Sequence, residues 1–333
     1  MKKQAALPRV GFLGTGWIGR HQMEAIHRSK EVEIVAIADV VRENALEAAR
    51  LVEGAIVVET LDDLLQLELD AVVIATPSAG HSTQAVRALE SGLAVFCQKP
   101  LGRTCGEARR VVDAARAADR LISVDFSYRF TEGIQKMRQL VTSGDLGHVY
   151  AADLVFHNAY GPDKPWFYDA DLSGGGCLID LGSHLVDLAL WFFDFPELRS
   201  VSSSIFAGGE RLKGGTSRVE DYAVLSIVLE TGSVIRVACS WNASAGRDAV
   251  IESTLYGTKG GACFRNVDGS FYNFVAERYR GTSRETIALP PDDWGGRAAV
   301  AWARKLRLEG PSFDPAAEKL VEVAAVLDAA YGR

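Results

Sequence analysis

Gly14-Thr15-Gly16-Trp17-Ile18-Gly19 has the residue types and spacing of a turn that grips a dinucleotide pyrophosphate. Gly14 permits a tight turn, Gly16 lets phosphate oxygens reach the backbone, and Gly19 lets a helix pack closely on the preceding strand. The positive end of that helix then faces the phosphates. Trp17 and Ile18 lie inside the loop and belong to the same candidate set. Asp39 follows Gly19 by about twenty residues, the distance at which a carboxylate takes ribose hydroxyls. It repels a 2′-phosphate and so favours NAD over NADP, with Arg42 close by as the opposing signal. Thr76, Pro77 and His81 follow the apolar run that ends at Ala75, and Gln98 and Lys99 follow the one that ends at Cys97. Ligands bind outside the carboxyl ends of such strands, so these residues are expected along the cofactor.

A second constellation lies at Gly174-Gly175-Gly176 and the helix after it. Asp180, His184 and Asp187 fall at i, i+4 and i+7 and share one stripe, beside an apolar stripe of Leu181, Leu185, Leu188 and Phe192. Ionisable groups on an otherwise apolar helix are costly to bury without partners or purpose. The stripe therefore predicts either a polar cleft facing it or a plain solvent-facing surface. The glycines are expected to bring backbone amides close to a ligand and leave room for it. Asp180 and His184 also have the spacing of two metal ligands, but no Cys or further His accompanies them, and no metal is expected.

The elements that must position these residues alternate strictly in the first third. Val10–Leu13, Ile34–Ala38, Ala71–Ala75, Leu93–Cys97 and Leu121–Val124 are continuous apolar runs, as parallel strands buried on both faces require. Between them Gly19–Arg28, Arg42–Leu51, Ser78–Ser91 and Thr104–Ala118 have helical spacing, the last with a Thr cap and Glu107 three residues on. After Phe126 the rhythm changes. Two helices, Thr131–Val141 and Leu178–Phe193, stand among strands at 149–157, 200–206, 221–230, 233–241, 250–256 and 261–264, and two more, Trp294–Leu308 and Asp314–Tyr331, close the chain. The glycine-rich stretches 174–176, 208–215 and 295–296 are expected to be loops. The fold class is α/β: an N-terminal Rossmann doubly wound parallel sheet, then an α/β domain with a large open, mostly antiparallel sheet. The domains are expected at 1–126 and 127–333, with the last helix free to pack back on the first.

The 333 residues are 48% hydrophobic and 24% charged, which suits a globular chain of about two domains. A net charge of −7 argues against a nucleic-acid partner. No apolar run reaches the ~18 residues of a membrane span, so no membrane partner is expected. The five cysteines show no CxxC pair and are odd in number, which suits a reducing cytoplasm.

With both segments in hand, the sequence resembles the Gfo/Idh/MocA family, the group that includes inositol dehydrogenases and glucose-fructose oxidoreductase. The resemblance rests on the nucleotide loop, Asp39, Thr76-Pro77 with His81, Gln98-Lys99-Pro100, Tyr128-Arg129-Phe130, and the run from the triple glycine to His184. It implies an NAD(P)-dependent dehydrogenase moving hydride between a nicotinamide and a hydroxyl-bearing carbon of a sugar, cyclitol or related polyol. It also implies catalytic roles for Lys99, Asp180 and His184. His184 would be the general base, since an imidazole exchanges protons readily around neutral pH. Asp180 would orient it or bind substrate, and Lys99 would stabilise the developing alkoxide. Tyr128, Arg129, His157 and Trp166 are the substrate-side candidates that the resemblance adds. The sequence departs from the family where its Glu before the lysine is Gln98, which removes a negative charge from beside Lys99. A homo-dimer or homo-tetramer is expected. Two other functions stand beside it: a non-catalytic NAD-binding sensor, which would not need Lys99, Asp180 and His184, and a glycosidase or lyase that oxidises its substrate transiently, which would use every residue named here.

Overall fold

The computed structural model describes residues 6–212 and 218–333. By internal contacts the chain divides into two units, one running to Ser127 and taking in Gly295–Val321, the other comprising Tyr128–Trp294 and Glu322–Arg333.

In the first unit β1 (Arg9–Leu13), α1 (Trp17–Ser29), β2 (Glu33–Ala38), α2 (Arg42–Ala49), β3 (Ile56–Val58), α3 (Leu61–Leu65), β4 (Ala71–Ile74), α4 (Ser78–Glu90), β5 (Ala94–Cys97), α5 (Cys105–Ala118) and β6 (Ile122–Val124) alternate along the chain. The strands form one parallel sheet in the order β3-β2-β1-β4-β5-β6. Every residue of β4 and β5 is buried, the physical reason for their continuous apolar runs. As expected, Thr104 caps α5, its Oγ1 accepting from Glu107 N at 3.2 Å. The sequence reading passed over β3 and α3. β3 is three half-exposed residues at the sheet edge, and α3 is a five-residue helix held by a Thr60–Asp63 capping box.

Strand register places the site. Ala38, Leu13, Ile74, Cys97 and Val124 stand abreast. The residues that follow them, Asp39, Gly14, Ala75, Gln98 and Asp125, therefore emerge along one edge. The strand order reverses between β1 and β4, where an open α/β sheet receives its ligand.

The second unit begins with α6 (Glu132–Thr142), β7 (Val149–Asn158) and α7 (Ala170–Ser173), followed by α8 (Ser183–Phe192). Eight strands come next: β8 (Leu198–Ala207), β9 (Glu210–Arg211), β10 (Tyr222–Leu229), β11 (Val234–Ser240), β12 (Ala249–Gly257), β13 (Gly261–Asn266), β14 (Phe274–Arg280) and β15 (Ser283–Ala288). They make a nine-stranded sheet ordered β15-β14-β13-β12-β7-β11-β10-β8-β9, antiparallel except where β7 runs parallel to β11. Ala223, Leu225, Ile227, Ile235, Val237, Cys239, Leu154 and Phe156 form its buried face. Tyr222, Val224, Val234 and Tyr256 stand on the opposite, exposed face. β14 and β15 were not anticipated, because Phe274-Val-Ala-Glu-Arg-Tyr-Arg280 and Ser283-Arg-Glu-Thr-Ile-Ala288 interleave charges with their apolar residues.

The single helix expected over 178–193 is two pieces: a π-helical turn at Leu178–Gly182 and then α8. The largely helical stretch Ala170–Phe192, bent at 174–176, is also long and apolar enough to cross a membrane by length and composition, which residue counting along the chain missed. Of its most apolar stretch 89% is buried in the protein.

The closing helices are α9 (Arg297–Glu309) and α10 (Glu318–Tyr331). α9 belongs with the first unit, not with the second as the sequence reading had it. Its buried stripe of Ala298, Ala299, Trp302, Ala303 and Leu306 explains why, with the Trp302 ring 5.5 Å from Phe96 of β5. Truncating a tryptophan so placed costs roughly 3–5 kcal/mol. Of the stretches read as loops, 174–176, 208–209 and 295–296 lie outside strands and continuous helix, 210–211 are instead the short strand β9, and 213–215 fall outside the described residues.

Candidate active-site residues and cofactor cradle

Gly14 has φ +89°, and a Cβ there would lie 2.6 Å from Ala75 O. At Gly19 a Cβ would lie 2.3 Å from Gly14 O. Both positions therefore exclude any side chain. Gly16 differs, because a Cβ there meets no described atom within 4 Å. Gly16 is also the residue before α1 and offers no side-chain cap to the helix amides. Open space in front of the positive end of a thirteen-residue helix fits a dinucleotide pyrophosphate. Trp17 stands at the rim, 59% exposed, with His21 edge-on at 5.7 Å.

Asp39 fastens this loop. Its Oδ2 accepts from Thr15 N at 2.6 Å and Thr15 Oγ1 at 3.1 Å, and its Oδ1 accepts from Val41 N at 2.8 Å. A carboxylate accepts at about four positions, so capacity remains for a ribose hydroxyl. Asp39 thus shapes the loop as well as offering a charge beside it.

At the ends of β4 and β5 two expectations are corrected. His81 was expected along the cofactor, yet it is buried and both ring nitrogens face backbone carbonyls, Nδ1 on Pro100 O at 2.7 Å and Nε2 on Thr76 O at 2.6 Å. It staples the two strand ends together. Burial pushes the imidazole below its ordinary range, with the two carbonyls pulling the other way. Gln98 was expected along the cofactor, yet it is 6% exposed. Its Nε2 donates to Asp125 Oδ2 at 2.7 Å, and its Oε1 accepts from Lys99 N at 2.9 Å. Thr76, half-buried, donates to Gln84 Oε1 at 2.5 Å, and Pro77 is exposed at the start of α4. Lys99 is half-buried and joined to Pro100 by a cis peptide bond.

In the second unit the expected stripe divides. Asp180 Oδ2 accepts from Trp241 Nε1 at 3.1 Å. His184 packs edge-on against Tyr128, their rings 5.2 Å apart. Tyr128 is itself buried among Phe156, Phe274 and Trp294, and burial pushes its phenol far up. It is the wall behind His184. Asp187 belongs elsewhere, for it is 1% exposed and Arg129 grips it two-pronged, Nε to Oδ2 at 2.6 Å and the other arm to Oδ1. The guanidinium also lies over Trp191 and Phe195. Arg129, expected on the substrate side, is thus engaged by its own unit. Burial pushes Asp187 up to about 6 against the pull of Arg129.

The triple glycine is also corrected. Its amides were expected to meet a ligand, and they meet the protein instead: Gly174 N donates to Ala170 O at 2.9 Å, Gly175 N to Ser173 Oγ at 3.3 Å, and Gly176 N to the Glu220 carboxylate. That carboxylate accepts from Gly176 N at 2.9 Å, Leu178 N at 3.0 Å and Tyr331 Oη at 2.7 Å. His157 stacks on Tyr222 at 5.7 Å with Nδ1 2.7 Å from Ser240 Oγ, and Trp166 stacks on Phe167 at 3.8 Å. Trp241, Glu220 and Asp125 were missed. Asp125 alone had a usable signal, its place at the end of an apolar strand. Among the described residues no group of three or more His, Cys, Asp or Glu could hold a metal ion.

Residues 8–126 match the model of the oxidoreductase family, NAD-binding Rossmann fold, and residues 134–263 match the GFO/IDH/MocA C-terminal domain. The chain belongs to the Gfo/Idh/MocA family. Among curated relatives, D-glucoside 3-dehydrogenase of Escherichia coli strain K12 is 29% identical over 273 residues, 76% of each chain. Inositol 2-dehydrogenase 3 of Saccharopolyspora erythraea is 28% identical, over 73% of this chain and 70% of its own. Levoglucosan dehydrogenase in complex with NADH and levoglucosan superposes with a TM-score of 0.81 at 22% identity, covering 97% of this chain and 95% of its own, and so shares the fold. As a Gfo/Idh/MocA member the chain is an NAD-binding oxidoreductase, and the space at Gly16 together with Asp39 suits that cofactor.

Proposed function

We propose that this Gfo/Idh/MocA member oxidises a secondary hydroxyl of a sugar or cyclitol with NAD, using Lys99, Asp180 and His184. The observation that carries the reading is the cradle at Gly14, Gly16 and Gly19, sterically closed at two positions and open at the one where phosphate would lie. Bound NAD supplies the nicotinamide ring that takes up hydride from the substrate carbon. His184 takes the hydroxyl proton, its ring plane fixed by Tyr128. Asp180, held through Trp241, accepts a hydrogen bond from a neighbouring substrate hydroxyl or orients His184. Lys99 stabilises charge developing on the reacting oxygen. Sugar and cyclitol are supported by the names of the curated relatives, and NAD over NADP by the carboxylate of Asp39. Among the described residues no cysteine is joined in a disulfide, which suits a reducing cytoplasm, and the exposed face of the nine-stranded sheet suits pairing with a second copy of this chain.

The test is net NADH formation from NAD and a panel of inositols, aldoses and glycosides, with NADH absorbance rising for at least one member. Replacing His184 with Ala should then lower turnover roughly 10²–10⁴-fold while NAD binding is retained. Unchanged turnover removes His184 from the mechanism. Tight NAD binding without NADH from any member supports a sensor or a transient oxidation instead.

A further inference from the structure

Asp125 stands at the end of β6, abreast of Gln98, and is 3% exposed. Its Oδ2 accepts from Gln98 Nε2 at 2.7 Å and from Gln22 Nε2, on α1, also at 2.7 Å. The other half of each group is orphaned. Asp125 Oδ1 and Gln22 Oε1 are both buried, and neither has a hydrogen-bond partner among the described residues. A buried acceptor without a donor loses its hydration with nothing in return, and loses more if it carries charge. Here both orphans are acceptors, and they belong to the two groups already joined by the Gln22 Nε2–Asp125 Oδ2 bond. A single proton removes both deficits, because a carboxylic acid and a primary amide pair at two points.

We propose that Asp125 is held as a neutral carboxylic acid, its Oδ1–H donating to Gln22 Oε1, and that the uncharged clip Gln22–Asp125–Gln98 is the positioning element for Lys99. The clip reaches Lys99 through Gln98 Oε1, which accepts from Lys99 N. His81 holds the next carbonyl, Pro100 O. Burial raises the Asp125 carboxyl above its ordinary range, against the two amides and the cationic fields of Lys99 and His21. A glutamate at 98 could not donate to Asp125 and would set two carboxyls against each other. The clip also ties the nucleotide-loop helix α1 to the turn that carries Lys99, so cofactor site and lysine share one support.

The test compares Asp125→Asn with Asp125→Leu in the full chain. Asparagine copies the neutral acid, since its N–H can donate to Gln22 Oε1 while its carbonyl accepts both amides. An infrared difference spectrum of parent minus Asp125→Asn at neutral pH should show the carbonyl band of a protonated acid, and carboxylate bands there would overturn the proposal. This arm does not depend on turnover. The kinetic arm rests on Lys99 acting in the reaction proposed above. Asp125→Leu should lower kcat on the order of 10- to 100-fold by displacing Lys99. Asp125→Asn should restore kcat, with the pH profile of the parent. A shifted profile, or an Asn variant as slow as the Leu variant, would show that the site needs an anion.

Discussion

Two glycine runs that each lead into a helix, Gly14–Gly19 and Gly174–Gly176, do opposite things. In the first, Gly14 and Gly19 are pressed against backbone while Gly16 faces open space. In the second, Gly175 and Gly176 are filled from within. A Cβ at Gly176 would lie 1.9 Å from Glu220 O, and one at Gly175 would lie 2.2 Å from Tyr331 Oη. The amides that a ligand would use at Gly176 and Leu178 are held by the Glu220 carboxylate. A glycine run thus marks close approach of something to the backbone. Whether that is a ligand or the protein itself depends on residues far away in sequence.

The largest expected effect is at Gly176. Replacement with Ala drives a methyl into the Glu220 backbone, which gives way less readily than a side-chain tip. The cost should be about 3 kcal/mol, the upper end for overpacking, and the unfolding midpoint should fall by roughly 6–12 °C. Calorimetry decides this, and an unshifted midpoint would show that the loop is not sealed as described. Gly16→Ala should do the reverse. Gly16 has φ −58°, which alanine adopts, and the methyl enters empty space, so stability should hold. NAD binding should weaken about tenfold, some 1.4 kcal/mol, by isothermal titration. Unchanged affinity would mean that the phosphates do not pass Gly16.

The same contrast explains what was legible beforehand. The first run could be interpreted because its logic is local: strand, turn and helix are contiguous, and Asp39 comes one crossover later. The parallel strands were equally plain, since burial on both faces writes continuous apolar runs such as Ala71–Ile74. The second run could not be, because Glu220 lies 44 residues downstream and Tyr331 near the far end of the chain. The spacing of Asp180, His184 and Asp187 was visible, but the π-helical turn and the partners Trp241 and Arg129 were not. They come from other elements, and only tertiary packing brings them in. His81 and Gln98 show the same limit, for both were placed at the correct sheet edge, yet backbone carbonyls and Asp125 occupy their polar atoms.

The smallest effect to measure is electrostatic and tests how tightly the second region is sealed. Asp187 is buried against Arg129, and burial raises its carboxyl from 3.8 to about 6. Between those values the folded chain binds the proton more tightly than the unfolded one, so this group's contribution to stability falls as pH rises through the window. Above about pH 6 the cost of the buried charge is fully present, and below the unfolded value it is gone. Asp187→Asn removes that titration along with the ion pair. The midpoint of the parent minus that of the variant should therefore grow as pH is lowered from 7 toward 4. A difference that shrinks on acidification would mean that the Arg129 pair outweighs burial and holds the carboxyl below its ordinary range. The region around α8 would then be more open to solvent than its packing indicates.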